Sequence, residues 1–191
     1  MNTHGNLFST PVFLAALVSA TISLSGCFSS GSESDPNMAG LREISRTDFP
    51  TVQGSQESLA NYRGKIVLVH FFASWCADCV AEVPTLRNLH NAFKGSDFQI
   101  VGVAVDDDPF DAQSFVRQFG VPFPVILDTQ GELKSYFSVK DLPATVFLDR
   151  KGVPVTFQDP QTGGYTAKLV GARRWDTERP VEMIAGMIEA K

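Results

Sequence analysis

Ile66-Val67-Leu68-Val69-His70-Phe71-Phe72-Ala73-Ser74-Trp75-Cys76-Ala77-Asp78-Cys79 is the stretch on which the fold turns. Its first seven residues are apolar, β-branched or aromatic apart from His70, which predicts a strand buried on both faces. Beyond Cys76, the residues Val80, Val83, Leu86, Leu89 and Phe93 recur at three- and four-residue steps, so a helix with one apolar face should follow. Pro84 is expected to kink it. A strand that runs into Cys-x-x-Cys at the opening of a helix puts Cys76 among unpaired backbone N–H groups at the positive end of the dipole, where a thiolate is favoured. Cys79 lies nearly one turn on, within reach to close a disulfide. Such a pair can attack a foreign disulfide through Cys76 and resolve the mixed disulfide through Cys79. The same spacing also serves zinc, which needs two more ligands, or a structural disulfide. Besides Cys27, only His4, His70 and His90 could complete a zinc site, and His70 is inside the strand pattern.

Working outward, Phe98–Val105 reads as a second strand and Asp106-Asp107-Asp108-Pro109 as a solvated loop, with Asp108 capping a helix that carries Phe110, Ser114, Phe115 and Phe119. The phenylalanines are expected in the core. A short strand over Pro124–Leu127 and a short helix over Gly131–Phe137 come next. Ala144–Asp149 should be a strand, with Val153–Phe157 as its hairpin partner across Arg150-Lys151-Gly152. Tyr165–Val170 is a further candidate for the sheet. A last helix should start near Thr177, with Pro180 in its first turn and Val181, Ile184 and Ile188 inward. Strands that first alternate with helices and then pair as a hairpin predict a mixed α/β sheet covered on both faces.

Composition agrees with one domain plus an appendage in 191 residues. The net charge of −5 supplies no basic footprint for nucleic acid, and 15 Gly with 11 Pro exclude collagen-like and low-complexity readings. Residues 1–26 contain no Asp, Glu, Lys or Arg. The apolar stretch Leu7–Leu24 is short for a spanning helix and ends in Leu24-Ser25-Gly26-Cys27, small residues of the kind that precede a secretory cut. This resembles the lipobox of bacterial lipoproteins, which implies acylation of Cys27 as the mature N-terminus. Phe28 follows in place of the Asp that retains many such proteins at an inner membrane. The polar run from Ser29 to Gly40 reads as a flexible tether. The expected organisation is a signal peptide over 1–26, a lipidated cysteine and tether over 27–40, and a domain over 41–191 placed on the extracytoplasmic face, where disulfides persist.

Gly64-Lys65, Phe71-Phe72-Ala73-Ser74-Trp75-Cys76, Glu82-x-Pro84, Pro122-Phe123-Pro124 leading to Asp128, and Asp141-Leu142-Pro143-Ala144-Thr145 occur in that order. Over about Phe49–Gly171 they resemble the TlpA/ResA/CcmG group of membrane-tethered thioredoxin-like proteins. The resemblance implies a thioredoxin-like α/β fold, a central mixed sheet flanked by helices, with an N-terminal extension. It also implies a cis Pro143 facing the cysteines, with the backbone of Leu142 pairing with an extended substrate and Trp75 exposed in the substrate groove. Glu82 matches the acidic position under the site and joins Cys76 and Cys79 as a catalytic candidate. Ala77, Asp78 and His70 are the redox-tuning candidates. Asp78 stands where many relatives carry Pro, and its charge opposes a thiolate on Cys76, which predicts a reductant. His70 stands where relatives often carry Asn, as a proton relay or a buried, hydrogen-bonded histidine.

The function this implies is a tethered thiol–disulfide oxidoreductase. It would draw electrons from a membrane donor and exchange disulfides with exported proteins, apocytochrome c among the group's substrates, with no cofactor, metal or nucleic acid. The peroxiredoxin signature Pro-x-x-x-Thr-x-x-Cys is missing around Cys76. A copper carrier of the Sco type needs Cys-x-x-x-Cys and a distal histidine, whereas no histidine follows His90.

Overall fold

The structure, a computed structural model, describes Gly40 and residues 43–190. The expected signal peptide, Cys27 and the tether up to Ala39 lie outside the described residues. A short antiparallel pair, β1 (Phe49–Pro50) and β2 (Gln56–Glu57), and a 3-10 turn over Leu59–Tyr62 lead into β3 (Ile66–Phe72). Then follow α1 (Ala77–Ala92), β4 (Phe98–Ala104), α2 (Pro109–Phe119), β5 (Val125–Leu127), α3 (Glu132–Tyr136) and β6 (Ala144–Leu148). The chain continues through β7 (Phe157–Gln158), β8 (Tyr165–Thr166), β9 (Leu169–Val170) and α4 (Glu178–Glu189). The main sheet has the order β5-β4-β3-β6-β9. Its β3–β4 and β4–β5 pairs are parallel, and β3–β6 and β6–β9 antiparallel. This is the thioredoxin-like mixed sheet that the motif order implied.

All seven residues of β3 are buried, because both faces of the middle strand are covered. Leu68 and Phe72 join Val83, Leu86 and Leu89 of α1, Phe115 of α2 and Ile184 of α4 in one core. Val67, Val69 and Phe71 join Leu59, Leu133 and Phe137 in the other. The period-two alternation therefore aims His70 toward α1. Gly102 of β4, its register partner, leaves room for rings: a Cβ there would stand 3.0 Å from Val125 and 3.2 Å from Phe72. Asp108 caps α2, its carboxylate accepting from the Phe110 N–H at 2.9 Å.

Pro84 lies inside α1, which is one helix from Ala77 to Ala92. Three expectations change. Val153–Phe157 supplies only an isolated bridge from Pro154 to Leu148, closed by the Asp149 N–H on the Val153 carbonyl at 2.8 Å and the Val155 N–H on the Phe147 carbonyl at 3.0 Å; Leu169–Val170 takes the place beside β6, and Phe157–Gln158 pairs with Tyr165–Thr166 in a separate ribbon. Phe110 is exposed at the start of α2, with the Arg117 guanidinium 6.0 Å from its ring centre. Asp106 is buried and not a solvated loop residue.

Register decides where the site falls. The parallel β3 and β4 end together, and β6 begins opposite Phe71, so the loops 73–76, 105–108 and 140–143 converge at one edge of the sheet.

Candidate active site

Cys76 is the N-cap of α1, and its Sγ accepts the Cys79 N–H at 3.2 Å. The two cysteines form a disulfide with an S–S distance of 2.16 Å and a Cα–Cα distance of 5.2 Å. Cys76 is 8% exposed and Cys79 1%, while Trp75 beside them is 73% exposed. Of the pair, Cys76 is the more exposed and lies beside the exposed Trp75. The preceding turn is held by Asp106, which accepts from the Ser74 N–H at 2.9 Å and the Ser74 hydroxyl at 2.6 Å. Nothing in the Asp106–Asp108 run marks its first member for this role; only the pairing of β3 with β4 brings it to Ser74.

The Leu142–Pro143 bond is cis. The Pro143 carbonyl accepts from the Gly171 N–H at 2.9 Å, which ties this loop to the end of β9. Ala77 and Asp78 are exposed in the first turn of α1.

Under the disulfide lies a buried polar group that the sequence disclosed only in part. Glu82, one turn past Cys79, is 1% exposed. Its Oε1 accepts from the Arg173 N–H at 2.7 Å and from the Trp175 indole N–H at 3.0 Å. Burial outweighs those two donors and pushes its pKa up to about 7. Oε2 accepts no hydrogen bond among the described residues and stands 3.5 Å from His70 Nε2. The other ring nitrogen of His70 meets the Thr145 hydroxyl at 3.0 Å. Burial lowers the His70 pKa to about 4, so the ring is neutral at physiological pH. His70 and Cys79 line one small apolar cavity with Phe72, Val83, Phe115 and Phe123. Trp175, Arg173 and Thr145 are the residues sequence reasoning missed. They lie more than 60 positions from Glu82, and no local pattern announces them. Among the described residues no three His, Cys, Asp or Glu side chains converge as a metal ion would require.

Sheet order, cis-proline loop and helix-capping disulfide together define a thioredoxin-fold protein with a Cys-x-x-Cys centre. Over residues 42–155 the chain matches the AhpC/TSA family model, and it belongs to that family. Among its relatives, the thiol-disulfide oxidoreductase ResA of Bacillus subtilis (strain 168) is 32% identical over 120 residues, 60% of this chain and 67% of the relative. ResA of Geobacillus kaustophilus (strain HTA426) is 31% identical over 101 residues, 53% of this chain. That match spans 58% of the Geobacillus protein's length. A Chlorobium tepidum structure described as a thiol:disulfide interchange protein DsbE superimposes with a TM-score of 0.63 at 27% identity, covering 74% of this chain and 92% of that one.

Proposed function

We propose that this chain is a thiol–disulfide oxidoreductase that reduces disulfides in proteins outside the cytoplasm. The observation that carries the reading is the asymmetry of the disulfide: a Cys76 that caps a helix beside the exposed Trp75 and is the less buried of the two, backed by a sealed Cys79. In the dithiol form the Cys76 thiolate attacks a substrate disulfide, forming a mixed disulfide and expelling one substrate thiolate. Cys79 gives up its proton, attacks Cys76 Sγ and expels the second thiolate; two electrons pass to the substrate and the protein disulfide closes. Glu82, near neutral pKa and one helical turn away, is the group suited to take that proton. Trp75, Leu142 and Pro143 form the substrate-facing edge, where an extended segment can pair with backbone. The ResA relatives support the chemistry. Tethering through an acylated Cys27, re-reduction by a membrane dithiol donor and a part in cytochrome c maturation belong to the same proposal and rest on the lipobox and the motif resemblance.

The test is a trap. In cells carrying Cys79→Ala, mixed disulfides through Cys76 should accumulate and dissolve on reduction, and none should form with Cys76→Ala. Absence of adducts while Cys76 remains open to alkylation would overturn the reading. Asp78 adds a tuning prediction. Its charge sits in the first turn beside Cys76, where proline is also tolerated. Asp78→Pro should relieve the repulsion of the thiolate, stabilise the dithiol and raise the reduction potential by on the order of 30 mV, one tenfold step in the exchange equilibrium. Equilibration against a glutathione buffer reads it, and a lower potential in the variant would refute the charge argument.

A further inference from the structure

Three side chains from three elements make a continuous buried line: Thr145 of β6, His70 of β3 and Glu82 of α1. Thr145 and His70 are each 2% exposed and Glu82 1%. Thr145 is the second residue after Pro143, so the line runs from beneath the disulfide to the root of the cis-proline loop.

The two oxygens of Glu82 are not equivalent. Oε1 receives two N–H donors, which leaves it no role as a proton carrier. Oε2 receives none, so a proton bound to Glu82 sits on Oε2 and faces His70 Nε2. A neutral imidazole has one donor and one acceptor nitrogen, and the partner at one fixes the role of the other. With Glu82 protonated, Oε2–H donates to Nε2, and Nδ1–H donates to the Thr145 oxygen. With Glu82 ionised, Nε2–H donates to Oε2, and Nδ1 accepts from the Thr145 hydroxyl. Passing between the states moves the imidazole proton from one nitrogen to the other and loses a single proton, from the carboxyl, to water. In both states a donor on one side faces an acceptor on the other, with Oε2 and Nε2 3.5 Å apart and Nδ1 and the Thr145 hydroxyl 3.0 Å apart.

We infer that Thr145 and His70 are positioning residues that couple the proton on Glu82 to the cis-proline loop, His70 changing tautomer as Glu82 gains or loses its proton. This deepens the proposed oxidoreductase reading of the same centre: the charge under Cys79 and the hydrogen bonding behind the docking loop change together. Other groups around the ring leave the switch to Glu82. From α1 come Cys79 and, near Glu82, Asp78; from the segment after β9 come Arg173 and Trp175; β4 offers Gly102, α2 offers Phe115, and Phe72 stacks beside the imidazole. Arg173 is held by Asp159 in an ion pair at 2.8 Å.

The test is nitrogen-15 NMR of the full chain labelled on histidine, in the disulfide form. With three histidines in the sequence, His70→Asn identifies the His70 signals by their loss. Between pH 5 and 9 the two ring nitrogens of His70 should exchange their protonated and unprotonated signatures in one step, while the ring stays neutral. Glu82→Gln, whose amide donates from the Oε2 position, should lock Nδ1–H at every pH. Thr145→Val leaves Nδ1 without a partner; an orphaned donor is tolerated less than an orphaned acceptor, so it should lock Nε2–H and lower the Glu82 midpoint by about one pH unit, a tenfold loss of proton affinity. Thr145→Ser should restore the switch. A single tautomer across the range in the wild type, or a switch that persists in Glu82→Gln, would overturn the inference. Because the readout needs no substrate, it can fail while the trap succeeds, and the reverse.

Discussion

Trp175→Ala is expected to lower unfolding stability by about 3–5 kcal/mol, the range for an emptied aromatic site in a well-packed core. Trp175 is 1% exposed and meets Phe147 edge-on at 6.4 Å, in the core shared by α1, α4 and β3. The loss has a second part, because the indole N–H is one of the two donors on Glu82 Oε1. Removing it withdraws support from the carboxylate and should lift the Glu82 midpoint further above about 7. Trp175→Phe separates the two effects. It keeps most of the volume but loses the donor along with part of the ring, so it should cost about 1–3 kcal/mol, less than alanine, while giving the same direction of Glu82 shift. Denaturant unfolding at fixed redox state reads the first quantity and pH titration of Glu82 the second. Equal stability losses in the two variants would contradict the packing argument, and an unmoved Glu82 in both would contradict the hydrogen-bond argument.

Glu82→Gln and His70→Asn should tilt the pH dependence of stability in opposite directions. Glu82 titrates near 7 in the folded protein against an ordinary 4.5, so the folded state keeps a proton that the unfolded chain releases between those values. Its contribution to stability is therefore lost as pH rises through that window. His70 titrates near 4 against 6.5, so the unfolded chain takes up a proton that the folded state refuses. Its contribution is lost as pH falls through that window. The windows overlap from 4.5 to 6.5, where the two slopes oppose each other in the wild type. Relative to wild type, Glu82→Gln should lose stability on acidification and His70→Asn on alkalinisation. Each full effect is on the order of 3 kcal/mol, at about 1.4 kcal/mol per pH unit. Slopes of one sign in both variants would show that burial does not govern this pair.

Local pattern carried far in this chain. The apolar run of β3 announced a doubly covered central strand, the three- and four-residue steps announced the buried face of α1, and Asp108-Pro109 announced the start of α2. These are period and capping rules that act within a few residues. The readings that changed involve partners far along the chain. Val153–Phe157 leaves β6 after a single bridge, and Leu169–Val170, about 15 residues later, pairs with the start of that strand. Asp106 looks like its two neighbours until β3 and β4 pair and bring it to Ser74. Phe110 obeys the composition of a core helix yet faces solvent, because α2 turns its apolar stripe at Ala112, Phe115 and Val116 inward.

The chain of letters determined the cysteine pair, its place where a strand meets a helix, and the acidic residue one turn beyond. Those follow from spacing along the backbone. Only the folded arrangement decided which cysteine is the less buried, that Glu82 is sealed from water, and that Arg173, Trp175 and His70 surround it, with Thr145 behind His70. The reason is desolvation: a carboxylate and an imidazole change their proton affinities according to what lies within a few ångströms, and that neighbourhood is assembled from strands and loops up to 93 residues apart.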